Sequence, residues 1–198
     1  PEFSDEMEYM EINPDWTLPR SIVGEYWNAL ASGGAGHLQL IDGAGRVVPR
    51  EYANVAAYSP QTLPYEVRQA PGPGNPLGEV KFMFPNQYAI YLHDTPSRSL
   101  FAQDTRAFSH GCIRLQDPRE FAYALLARQE ADPVTYYHAI QRTGRQTRVP
   151  LIDHVPVHLV YRTAYTSVTG RMQYRNDIYG RDAILYNALV NAGVEVGA

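Results

Sequence analysis

The reading turns on Tyr91-Leu92-His93-Asp94-Thr95-Pro96 and, a short distance on, Phe108-Ser109-His110-Gly111-Cys112-Ile113-Arg114-Leu115. Cys112 is the single cysteine among 198 residues, which excludes an internal disulfide and any multi-thiolate zinc site. It is therefore either a buried filler or a reactive thiol. A thiol attacks as its thiolate, and a neighbouring imidazole that takes or shares the proton supplies that form near neutral pH. His93 at a strand end and Cys112 in a glycine-containing turn can face each other from consecutive elements. Gly111 removes the side chain beside the sulfur, and the N–H groups of the turn can form an oxyanion hole. The spacing leaves open both a catalytic pair and an ordinary cysteine near two histidines. A metal site of His93, His110 and Cys112 with an open position is a weaker reading, since no carboxylate stands ready to orient the imidazoles.

Upstream of His93, Val80-Lys81-Phe82-Met83-Phe84 and Tyr88-Ala89-Ile90-Tyr91-Leu92 predict an antiparallel pair joined by a tight turn at Pro85-Asn86. Before them lies a rigid, turning loop from Ala70 to Gly78. Downstream of Cys112, Asp117-Pro118-Arg119-Glu120 predicts a capped helix start running to about Gln129, and Asp132-Pro133 a second helix through Ile140. Thr147 to Ile152 and Val155 to Tyr165 read as strands, with Arg171 to Tyr179 pairing around Thr169-Gly170, and Asp182 to Val194 as an amphipathic helix. Near the start, Ile22, Tyr26, Trp27 and Leu30 recur at helical spacing up to Gly33-Gly34. From His37 to Tyr65 the sequence is turn-rich without a long periodic element, and reads as an excursion or lid.

Apolar residues make up 44% of the chain and the net charge is -4, which suits one globular domain with a real core and not a disordered chain. Fifteen glycines and fifteen prolines make turns plentiful and a helical bundle improbable. The acidic balance gives no support to nucleic-acid or polybasic membrane contact, and no apolar run is long enough to span a bilayer. The fifteen tyrosines, Tyr136, Tyr137 and Tyr161 among them, read as half-buried sheet packing ahead of a sugar platform.

The quoted segments resemble the signature of L,D-transpeptidases of the YkuD superfamily, closest to the large periplasmic YcbB-like subgroup. The similarity extends to Asn13-Pro14-Asp15-Trp16, Asn75-Pro76-Leu77-Gly78, Lys81 to Asn86, Val155 to Leu159 and Asp177-Ile178-Tyr179, and so covers about residues 3 to 180. It implies a mixed, β-rich α+β fold, a β-sandwich catalytic domain with short helices, spanning residues 1–198 with a capping excursion at about 23–63. It also implies a cysteine acyltransferase of the cell wall. Cys112 attacks the L–D peptide bond of a tetrapeptide stem, D-alanine leaves, and the acyl group passes to an amine, giving a 3→3 cross-link. His93 matches the family's base, Asp94 orients it through its main chain, and His110 and Gly111 flank the nucleophile in support. Ser109, Asp94, Arg114 and Lys81 are candidates for contact with substrate, Arg114 anchoring either the active-site turn or a substrate carboxylate, and Lys81 either meeting a stem carboxylate or standing as a solvated charge on the strand face.

The resemblance implies no cofactor and no metal. It implies peptidoglycan stem peptides as partners, carbapenems as inhibitors and a periplasmic address, although the chain as given carries no signal peptide. Strands that usually open the family domain are missing ahead of Pro1, so a partner chain completing the sheet is an open expectation. Also open are water as acceptor, giving a carboxypeptidase or endopeptidase, a 1→3 or protein-anchoring transfer, and a non-catalytic wall-binding fragment.

Overall fold

The computed structural model describes residues 1–109 and 111–195. The chain opens with β1 (Phe3–Ile12) and β2 (Trp16–Thr17), then a broken helical stretch with α1 (Arg20–Val23) and α2 (Trp27–Ala31). β3 (Leu38–Ile41), β4 (Val47–Val48), α3 (Arg50–Ala53) and β5 (Glu66–Gln69) follow. Next come β6 (Val80–Met83), β7 (Leu92–His93), β8 (Ile113–Arg114), α4 (Pro118–Leu126) and α5 (Pro133–Gln141). The chain ends with β9 (Thr147–Leu159), the hairpin β10 (Ala164–Thr166) and β11 (Met172–Tyr174), and α6 (Arg181–Asn191). This is the mixed, β-rich α+β architecture expected.

One sheet has the order β8-β7-β6-β1-β9, antiparallel throughout except for the parallel pair β7–β8. β1 is thus an interior strand, hydrogen-bonded on both sides. Its buried residues Met7, Met10 and Ile12 do not keep a strict two-residue alternation. The break comes where Met7 pairs with Val155 but Tyr9 with Pro150, so Glu8 alone faces residues 151–154 of β9. That bulge resets the phase and returns both halves of β1 to the core. It also explains why two strands were expected within what forms a single strand, Thr147–Leu159. Phe82, Phe84, Leu126, Tyr137 and Val149 complete this core, closed by α4 and α5. Asp132 caps α5 by accepting the Thr135 N–H at 3.0 Å, whereas Asp117 makes no side-chain cap and leaves Pro118 to open α4.

The second sheet, β2-β5-β3-β4, is wholly antiparallel and buries its own core of Trp16, Leu30, Leu38, Leu40 and Val67. The stretch His37 to Tyr65, read as turn-rich, therefore contributes an interior strand, β3, four residues long and too short to show a period. The expected Tyr88–Leu92 strand contracts to Leu92–His93 for a different reason. The Asn86 amide donates to the Phe84 and Ile90 carbonyls and its oxygen accepts from the Tyr88 and Ile90 N–H groups, at 2.6 to 3.2 Å. One side chain thus takes the backbone groups that strand pairing would have used.

The Ala70–Gly78 loop is pinned by Asn75, fully buried, which donates to Pro14 and Ala70 carbonyls at 2.9 and 3.1 Å and accepts from Leu77 N at 2.9 Å. No helix among the described residues is long and apolar enough to cross a membrane.

Candidate active site

β7 and β8 run parallel, with Leu92 opposite Ile113 and His93 opposite Arg114. Ile113 N donates to the Tyr91 carbonyl at 3.0 Å and Leu115 N to that of His93 at 2.8 Å. This register brings Cys112, at the entrance to β8, beside Tyr91. The thiol lies 3.8 Å from the Ala89 carbonyl and within reach of the Tyr91 hydroxyl and N–H. Gly111 has φ +140°, and a Cβ there would meet Ile90 Cγ1 at 3.3 Å, so only glycine lets the turn lie this close.

Cys112 opens into a cleft of about 760 Å³ that Ser109, Gly111 and Arg114 also line. Burial pushes its thiol pKa up, opposed by the hydrogen bonds from Tyr91 and the charge of Lys81. His93 is buried, and burial lowers its pKa to about 4 against the opposing pull of the Asp94 carbonyl, with the Arg114 charge adding to the decrease. His93 Nδ1 bonds the Asp94 carbonyl. A carbonyl can only accept, so Nδ1 carries the proton and the neutral ring keeps its Nε2 lone pair, free to take one.

Asp94 is a bracket for that carbonyl. Its carboxylate accepts from Glu79 N at 2.8 Å, from Thr95 N at 2.6 Å and from the Arg98 guanidinium. Gly78 makes room for it, since a Cβ there would fall 2.2 Å from Asp94 Oδ2. The Asp94 carboxylate is thereby engaged inside the fold, and the residue's link to the imidazole is its main chain.

Arg114 Nε and Nη1 are buried with no partner among the described residues. Lys81 is paired with Glu11 at 2.8 Å and lines a separate pocket of about 340 Å³ with Tyr91, Arg68 and Asp15. Ser109 is exposed at the cleft, and His110 lies outside the described residues. Among the described residues no three His, Cys, Asp or Glu side chains gather as metal ligands.

Two further residues belong to this site, Tyr91 and Arg98. Tyr91 stands two before His93, hence on the same strand face, its ring edge-on to the imidazole at 5.8 Å. Arg98 pairs with Asp94 four residues before it, but outside a regular helix that spacing carries no signal of its own.

A family profile, that of the YkuD L,D-transpeptidase catalytic domain, matches residues 1–150. Over 185 residues the chain is 31% identical to a protein of Haemophilus influenzae that carries the provisional name L,D-transpeptidase. The match takes in 91% of this chain and 37% of that protein, so the chain spans little more than a third of its relative's length.

Proposed function

Since the chain belongs to the L,D-transpeptidase catalytic-domain family, we propose that it is a cysteine acyltransferase acting on peptidoglycan stem peptides, with Cys112 as nucleophile and His93 as base. The observation that carries the reading is the β7–β8 register. It joins the one thiol, open to a cleft, to a strand that ends in a buried, neutral imidazole with Nδ1 pinned.

The raised thiol and lowered imidazole pKa values leave both groups neutral at rest. The proton therefore moves during attack and not before it. The sulfur adds to the carbonyl of the L–D bond in a tetrapeptide stem as its proton passes to His93 Nε2. The C–N bond then breaks, Nε2 returns that proton to the departing D-alanine amine, and a thioester remains. An acceptor amine, from the diaminopimelate side chain of a second stem, attacks the thioester and passes a proton to His93. The new amide is a 3→3 cross-link, and the thiol regains its proton. Arg114, with two buried unpartnered nitrogens at the cleft, suits a stem carboxylate. Ser109 and Gly111 shape the turn, and Lys81 acts from the neighbouring pocket; the supporting role that the resemblance implies for His110 falls on a residue outside the described ones.

We place this reaction in the periplasm, on a single domain in which residues 23–63 are an excursion that lines no part of the cleft at Cys112, and expect carbapenems to acylate Cys112. Water in place of the amine gives an L,D-carboxypeptidase. Incubation of the protein with disaccharide-tetrapeptide and mass analysis of the products tests the reading. Dimers lacking one D-alanine are expected; tripeptide monomers select the hydrolase, and unchanged substrate overturns both. A carbapenem adduct on the native protein, lost in Cys112→Ala, identifies the nucleophile.

A further inference from the structure

The cleft at Cys112 has two walls of different chemistry. The wall that carries the thiol also carries Arg106 and Arg114. The facing wall comes from Glu2, the end of β9 and the start of α6, with Tyr161, Tyr179 and Arg181. Apart from Glu2, it lies beyond the stretch that the family profile matches.

This second wall is ordered although α6 buries no residue. Tyr161 donates its hydroxyl to Asp177 at 2.6 Å, and Asp177 in turn accepts from Arg181 N and Asp182 N at 2.9 and 2.7 Å. Arg181 pairs with Glu2 at 3.0 Å, and Glu2 also accepts from Tyr161 N at 2.8 Å. The Tyr161 and Tyr179 rings lie 5.2 Å apart, and the Arg181 guanidinium stands 5.2 and 6.0 Å from their centres. Such a network at the surface holds side chains in place without a core to hold them.

Charge separates what the two walls suit. The guanidinium nitrogens left unpartnered on the first wall suit carboxylates. On the second, Arg181 pairs with Glu2 and the Asp177 carboxylate takes three hydrogen bonds from within the wall, leaving aromatic rings rimmed by polar groups and no unpaired cation among the described residues. That combination fits an uncharged polyhydroxylated ring, whose C–H face stacks on an aromatic and whose hydroxyls take the rim.

We infer that the Tyr161–Tyr179–Arg181 wall is a saccharide subsite that holds the glycan end of the donor while its peptide lies toward Cys112. The inference rests on the peptidoglycan reading above and adds to it the part of the substrate that lies away from the reacting bond.

The test compares KM for disaccharide-tetrapeptide and for the same tetrapeptide without sugar. In the native protein the sugar is expected to lower KM about tenfold, the scale of one aromatic stacking contact. In Tyr179→Leu, which keeps apolar bulk but loses the flat face, the ratio of the two KM values falls toward one; in Tyr179→Phe it is retained. A native ratio of one, or a ratio that Tyr179→Leu leaves unchanged, overturns the subsite. If neither compound is turned over, the failure belongs to the catalytic reading. The subsite is then tested by calorimetric binding of the same two compounds to Cys112→Ala and to Cys112→Ala with Tyr179→Leu, where loss of the sugar's advantage upholds it and equal binding overturns it.

Discussion

The main-chain carbonyl of Asp94 accepts the Nδ1 proton of His93, the residue just before it, while the Asp94 carboxylate is tied back to Glu79, Thr95 and Arg98. The tautomer of the buried imidazole is therefore set by the backbone, and the backbone by a side chain that faces away from the cleft.

Stability carries a signature of this burial. His93 has a pKa of about 4 in the folded chain against an ordinary 6.5. Between those values the unfolded chain binds a proton that the folded chain refuses, so stability falls as pH drops from 6.5 to 4 and is fully retained above 6.5. The loss amounts to ~3 kcal/mol at most. Urea unfolding at pH 7 and pH 4 should show this share in the native protein and not in His93→Gln; equal losses would count against it.

Gly78→Ala should be among the most damaging single-methyl changes in the chain. Gly78 has φ +62°, and the added Cβ collides with Asp94. Strain and collision together cost about 2–4 kcal/mol. The carbonyl on His93 moves with Asp94, so carbapenem acylation of Cys112, followed by mass spectrometry under conditions where the variant is folded, should slow at least tenfold.

Arg114 separates stability from binding. Two of its nitrogens are buried without a partner among the described residues, so Arg114→Met should unfold at the same temperature as the native protein or a higher one. Its KM for tetrapeptide should rise roughly 10- to 100-fold, the scale of one charged hydrogen bond. Arg114→Lys should recover little of this, since an ammonium cannot offer two parallel donors.

Tyr137 is fully buried and its hydroxyl has no partner among the described residues. Tyr137→Phe removes a desolvated polar atom and keeps the ring, so it should stabilise the chain by about 1 kcal/mol in denaturant unfolding. A loss of similar size would show that the hydroxyl is satisfied in solution.

What could be read before folding were features whose signal is local. Asp132-Pro133 announced α5 because a cap and a first-turn proline act within four residues. The β10–β11 hairpin was legible around Thr169-Gly170 for the same reason. The run after Asn86 reads as a longer strand than it forms because its apolar residues are compatible with pairing, while the Asn86 side chain competes for their backbone groups at close range. β3 has no legible signal, because four residues joined to partners far along the chain show little of their own.

For the site the division is similar. The amino-acid order by itself determined that there is one thiol, that a glycine stands just before it, and that two histidines precede it at spacings resembling those of a known family. Only the tertiary structure decided that Tyr91 is the thiol's described neighbour, that the Asp94 carboxylate is engaged by Glu79, Thr95 and Arg98, and that the second cleft wall comes from Glu2 and Tyr179 together. Residue identity limits which chemistry is available, but pKa, tautomer and partner depend on burial and on atoms distant in sequence, and these come into being only when the strands close.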